Sequence, residues 1–137
     1  MLVRGPAGLV TTSRSAAGDY LKRLVGRRVL VVEDEYFIAD DLAQALDEAG
    51  AIVVGPASTV EEAFALLERE RPDLAILDIN LKGKVSFAIA DELARRELPF
   101  VFATGYESGA IPDRHAQRPR WQKPLRIEEM LAALGEA

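Results

Sequence analysis

Three runs of four apolar residues constrain what this chain can fold into. Val29-Leu30-Val31-Val32, Leu74-Ala75-Ile76-Leu77 and Phe100-Val101-Phe102-Ala103 contain no polar side chain to turn toward water. A strand that is apolar on both faces must be covered on both, as in a parallel sheet packed between helices. The intervening segments supply those helices. Ile38, Leu42, Ala45, Leu46 and Ala49 lie at helical spacing and predict a helix from about Glu35 to Ala49, stopped by Gly50. Ile52-Val53-Val54 reads as a second strand ended by Gly55-Pro56, and Ser58-Thr59-Val60-Glu61 as a capping box that opens a helix to about Glu70. Phe87, Ile89, Ala90, Leu93 and Ala94 predict another helix, which must end before Pro99. Residues 106–117 hold Gly109 and Pro112 and little periodicity, so any helix there is short or irregular. A fifth strand is expected near 118–122, with Pro119 restricting it to an edge or a strand start. Ile127, Met130, Leu131 and Leu134 predict the last helix. Strict alternation with right-handed crossovers gives an α/β fold, a doubly wound five-stranded parallel sheet in the order 2-1-3-4-5.

The chain's 137 residues fit one such domain, expected over 28–137. Residues 1–27 read as a basic N-terminal arm. Their start is rich in Gly, Pro, Ser and Thr, and a short amphipathic helix is expected over 15–25, with Tyr20, Leu21, Leu24 and Val25 on one side. Through residue 28 the basic side chains are Arg4, Arg14, Lys22, Arg23, Arg27 and Arg28, against Asp19 alone. The remainder is therefore more acidic than the overall net charge of −5. An acidic body argues against binding nucleic acid, whose phosphates need Lys and Arg. A solvated tail is the simpler reading of the arm, and a transit peptide is the alternative. There is no cysteine, so disulfides and thiolate metal sites are excluded. No apolar run approaches the roughly 20 residues of a membrane-spanning helix, and no secretory signal is evident, so a cytoplasmic location is expected.

Each of the three apolar runs ends at a polar residue: Glu33-Asp34, Asp78 and Thr104. Parallel sheets place their working residues at the carboxyl ends of their strands. In the expected order strands 1 and 3 are neighbours, which brings Glu33, Asp34 and Asp78 together. Two carboxylates at about 4 Å repel by about 1 kcal/mol in water and about 4 kcal/mol at an intermediate dielectric, so a proton or a cation must relieve them. Oxygen ligands without His or Cys favour a hard cation, most simply Mg²⁺, and the Asn80 backbone carbonyl adds a further oxygen. A carboxylate beside Mg²⁺ can attack a phosphoryl group. Thr104 offers that group a hydroxyl, Lys123 before Pro124 an ammonium, and Gly105 an open approach. Taken singly, each residue has a plainer reading: a cap, a helix's acidic first turn, a turn, a surface charge. The combination is what is specific.

At these residues the chain resembles the receiver domain of two-component response regulators. The resemblance covers about 28–135 and is carried by Val-Leu-Val-Val-Glu-Asp-Glu (29–35), Leu-Ala-Ile-Leu-Asp (74–78), Ala-Thr-Gly (103–105) and Lys-Pro (123–124). It implies a flavodoxin-like (βα)5 fold. It implies that Asp78 is the phosphoacceptor and that Glu33, Asp34, Asp78 and the Asn80 carbonyl hold Mg²⁺. Thr104 and Lys123 would meet the phosphoryl group, and the donor would be a phosphohistidine on a sensor histidine kinase. Phe102-Ala103-Thr104-Gly105-Tyr106 looks like a subgroup of mostly stand-alone alphaproteobacterial receivers partnered with kinases of the HWE and related types. Two places depart from the family pattern. Arg120 occupies the usual aromatic switch position, leaving Tyr106 or Trp121 as substitutes. The loop after Asp78 reads Asn-Leu-Lys-Gly-Lys, without the frequent Pro.

The expected function is that of a single-domain phosphorylation switch, with no DNA-binding domain after the last helix. Its output would be protein binding, a phosphate sink or a phosphotransfer partner, with a homodimer open to test and only its own phosphorylation and dephosphorylation catalysed. One rival is a phosphorylation-independent binding module on the same fold, against which the intact Asp78, Thr104 and Lys123 argue. Another is an aspartyl-phosphate phosphohydrolase, which needs a second carboxylate where Asn80 stands. His115, among Asp113, Arg114 and Gln117, reads as a surface residue.

Overall fold

A computed structural model describes residues 22–105 and 111–136. The expectations for residues 1–21 and for Tyr106 lie outside them. The elements, in chain order, are β1 (Arg28–Val32), α1 (Tyr36–Glu48), β2 (Ile52–Ala57), α2 (Val60–Glu70), β3 (Leu74–Asp78), β4 (Asn80–Leu81), β5 (Lys84–Val85), α3 (Phe87–Arg95), β6 (Phe100–Thr104), β7 (Arg120–Gln122) and α4 (Ile127–Gly135). The main sheet has five parallel strands in the order β2-β1-β3-β6-β7, as the alternation predicts.

Each apolar run divides its side chains between two cores, because successive strand residues point to opposite faces. Leu30, Val32, Ala75, Leu77, Phe100 and Phe102 pack toward α2 and α3. Val29, Val31, Leu74, Ile76, Val101 and Ala103 pack toward Leu42 and Leu46 of α1 and Met130, Leu131 and Leu134 of α4. Leu24, just before β1, is fully buried in this second core. The amide of Gly26 donates to the Gly50 carbonyl at 2.8 Å, tying that segment to the end of α1.

Four details differ from the expectations. First, β2 does not stop at Gly55-Pro56 but continues to Ala57 through a register shift opposite β1. Gly55 has φ +102, and a Cβ there would lie 2.8 Å from the Ala57 nitrogen, so only glycine allows the strand to continue. Second, the capping box sits one residue later than read. Thr59 accepts from the Glu62 amide at 3.1 Å, and the Glu62 carboxylate accepts from the amide and hydroxyl of Ser58. Third, residues after Asp78 form a small antiparallel hairpin, β4–β5. Lys82 and Gly83 at its tip have φ +50 and +85, the pattern of a tight primed turn.

Fourth, His115 is buried, at 2% exposure, and not on the surface. The only helical turn among the described residues 111–119 is a 3-10 turn, Asp113–His115. That turn leaves Asp113 and Arg114 exposed and aims the imidazole at Phe100 and Phe102, with ring centroids 6.0 and 6.1 Å away. Arg118 stacks over Phe100 at 4.4 Å. With no amphipathic helix described here, these side chains take over the covering of β6.

Candidate functional site

β1, β3 and β7 deliver Glu33, Asp78 and Lys123 to one point. Each follows its strand's alternation onto the α1 face, so the three side chains converge above adjacent strand ends. Glu33 is held by its own amide, which donates to the Ala57 carbonyl at 2.9 Å; the extension of β2 past Gly55 makes that bond possible. The end of β3 is fixed by Ser86, which is fully buried. Its hydroxyl donates to the Asp78 carbonyl at 2.6 Å and its amide to the Ile79 carbonyl at 2.8 Å. Lys123 is placed by its amide's bond to the Thr104 carbonyl at 2.8 Å.

The Lys123 ammonium is the hub. Nζ donates to Asp78 Oδ2 at 3.0 Å, to Glu33 Oε2 at 3.1 Å and to Glu35 Oε2 at 2.6 Å. Glu33 Oε1 lies 2.9 Å from the same nitrogen, close enough to pair in charge but off the hydrogen-bonding line, and has no donor of its own among the described residues. Asp78 Oδ1 accepts from the Asn80 amide at 3.3 Å. Asp34 stands at the rim, where its Oδ2 accepts from the Lys82 amide at 2.9 Å and pins the β4–β5 hairpin over the site. Asp34, Glu35, Asp78, Asn80, Gly105 and Lys123 line a cleft of about 290 Å³. Among the described residues, a Cβ on Gly105 would meet no atom within 4 Å.

The electrostatics follow from burial. Burial pushes the Glu33 carboxyl up to about 7; hydrogen bonds from the Glu35 amide and Lys123 oppose the rise, and the charge of Asp78 adds to it. Burial also raises Asp78, against the pull of Lys123. For Lys123 burial works to lower the value, but its bonds to Glu35, Glu33 and Asp78 outweigh it and hold the ammonium above its ordinary range. One ammonium thus faces two buried acids that resist losing both protons, the situation a cation relieves. The donor set fits a hard cation. It is all oxygen, Glu33 Oε1 is buried without a donor, and Glu33, Glu35 and Asp78 each offer an oxygen within 4.8 Å of the others.

Of the residues singled out in the sequence, Asp34, Asp78, Asn80 and Lys123 line one cleft, and Glu33 is buried beside it, bonded to Lys123. Thr104, nearly buried at the end of β6, is not among the described residues on the cleft wall. Arg120 pairs in register with Phe102 and is exposed. Trp121 pairs with Ala103 and packs against the α1–α4 core, on the opposite face of the sheet from Arg120. Two residues were missed. Glu35 carries the shortest bond to Lys123, and its signal was a third acid in Glu33-Asp34-Glu35. Ser86 was signalled only by its place before the first helical residue, Phe87.

The family model of the response regulator receiver domain matches residues 29–134. The chain belongs to this family. Across 114 residues this receiver is 33% identical to the transcriptional regulatory protein PdtaR of Mycobacterium tuberculosis, covering 80% of the chain and 56% of PdtaR. It is similar to the solution structure of SdrG from Sphingomonas melonis Fr1, at 37% identity and a TM-score of 0.71, over 84% of the chain and 98% of SdrG. The crystal structure of the response regulator PhyR from Brucella abortus is 30% identical with a TM-score of 0.74, over 90% of the chain and 52% of PhyR. The chain spans about half the length, or less, of the curated relatives it matches. Among the described residues, no helix of this receiver is long and apolar enough to cross a membrane.

Proposed function

We propose that this receiver accepts a phosphoryl group on Asp78 from a phosphohistidine of a sensor histidine kinase and signals by the resulting change in protein binding, or serves as a phosphate sink. The observation that carries the reading is the contact of Lys123 Nζ with Asp78 Oδ2 inside a buried acid cluster at the sheet's carboxyl edge.

In the proposed transfer, a carboxylate oxygen of Asp78 attacks phosphorus, the P–N bond to the donor imidazole breaks, and the imidazole leaves with the bonding pair. Glu33, Asp34, Asp78 and the Asn80 carbonyl would hold Mg²⁺, which would neutralise charge on the transferring group. Lys123 exchanges a carboxylate for a phosphoryl oxygen, and Thr104 offers its hydroxyl from the next strand end. Ser86 and the Asn80 amide keep the Asp78 main chain and side chain oriented, which favours attack over rotation. Asn80 stands where a hydrolase needs its second carboxylate, so loss of the phosphoryl group to water is slow self-dephosphorylation and not turnover. The added charge of about −2 draws Lys123 and Thr104 inward and repacks the β6–β7 surface. Arg120 and Trp121 lie on that surface, and Tyr106 follows Thr104-Gly105 in sequence.

The test is incubation with acetyl phosphate or phosphoramidate and Mg²⁺, read by intact mass. A gain of one phosphoryl group that is lost in Asp78→Asn supports the reading. No gain, or a gain that persists in Asp78→Asn, overturns it.

A further inference from the structure

The three carboxylates on Lys123 differ in exposure. The side chains of Glu33 and Asp78 are 1% and 4% exposed, and that of Glu35 is 58% exposed. The shortest contact, 2.6 Å, nonetheless runs to Glu35. A buried pair cannot open without leaving an uncompensated charge behind. A pair on the solvent side opens when one side chain swings into water, at little cost. The main chain of Glu35 is fixed. Its amide donates to Glu33 Oε2 at 3.0 Å, and it is the N-cap residue of α1, in extended conformation. Its Cβ is therefore anchored beside the cleft while its carboxylate is free to leave.

We propose that Glu35 is the exchangeable counter-charge of Lys123: a positioning residue that holds the ammonium in the resting state and competes with the incoming phosphoryl group for it. The inference rests on phosphoryl acceptance at Asp78. The phosphoryl oxygens and Glu35 seek the same N–H donors, and the two anions repel each other. Transfer therefore requires Glu35 to yield Lys123. No bond is made or broken at Glu35 itself. Removing its charge leaves Lys123 free to meet the transferring group earlier, so phosphoryl uptake quickens.

The experiment compares wild type, Glu35→Gln and Glu35→Asp at saturating Mg²⁺. Uptake rates are measured with acetyl phosphate and with phosphoramidate, which differ in charge, at low salt and near 1 M salt. Glu35→Gln is expected to be phosphorylated about fivefold faster with both donors at low salt, the size of one screened charge at close range. At high salt the difference narrows but survives, because a contact of 2.6 Å lies inside a screening length of about 3 Å. Glu35→Asp, which keeps the charge, stays near wild type. Equal rates for Glu35→Gln and wild type overturn the inference. So does an equal acceleration in Glu35→Asp, which marks altered packing, or a difference confined to the more highly charged donor, which marks donor repulsion. A wild-type chain that takes up no phosphoryl group overturns the Asp78 reading beneath it.

Discussion

On the β1–β3 side of the carboxyl edge, main-chain hydrogen bonds hold the working residues. The Glu33 amide is bound to the Ala57 carbonyl, the Asp78 carbonyl to Ser86, and Asp34 to the Lys82 amide. On the β6–β7 side the cover is made by side chains: His115 and Arg118 against Phe100, and the bridge from Arg114 and His115 to Asp91 on α3. β7 is three residues long, with its two outer residues exposed. The difference separates two tasks. Reacting groups need a geometry that does not relax, and backbone ladders supply it. The second packing proposed for the β6–β7 surface is better served by a few side-chain contacts that can be exchanged.

The largest expected effect breaks the comparison if it fails. Asp78→Asn removes phosphoryl uptake altogether, whereas Arg120→Ala, on the other side, leaves the uptake rate within about twofold, a change under 1 kcal/mol. Intact mass over time measures both. A strong loss of uptake in Arg120→Ala would mean that the two sides are not separable.

The next effect is on stability. His115→Ala leaves a hole against Phe100 and Phe102 and is expected to cost about 2–3 kcal/mol, seen as a drop of several degrees in Tm. His115→Phe keeps the packing and loses the bond to Asp91, so it should recover most of that loss. If His115→Ala unfolds like wild type, the imidazole is not the cover inferred for β6.

A smaller effect sharpens the electrostatic side. The Glu33 carboxyl is raised from its ordinary 4.5 to about 7 in the folded chain. Its contribution to stability is therefore fully present below about pH 4.5 and is lost as pH rises through about 7. In the absence of a divalent cation, urea midpoints should fall between pH 5 and pH 8, and Glu33→Gln should flatten that slope. A Glu33→Gln variant that keeps the full slope would assign it elsewhere. Cation binding should release protons in the same window, so its affinity rises with pH. The smallest effect is Arg114→Ala: its pair with Asp91 is solvent-exposed, and no resolvable change in the unfolding midpoint is expected.

How much was legible in the residues varies along the chain. The parallel sheet, its order and its helices follow from the three apolar runs and the 3.6-residue patterns between them, because burial on two faces and helical spacing are properties of the local sequence. The placing of Glu33, Asp34, Asp78 and Lys123 at one edge was legible too, since strand ends and strand order suffice to bring them there. Gly55-Pro56 misled because a strand that bends through a glycine bulge looks, residue by residue, like one that stops. His115 misled because a lone imidazole among charges has no period to read; its burial depends on Phe100 and Phe102, which come from another element.

The amino-acid sequence by itself determined the architecture, the acid cluster and the family, because these rest on patterns carried within single strands and helices. Only the tertiary structure decided that Glu35 shares Lys123 with Asp78, that Ser86 locks the end of β3 and that His115 covers β6. Each is a contact between residues of different elements, and its strength is set by how far packing excludes water from it.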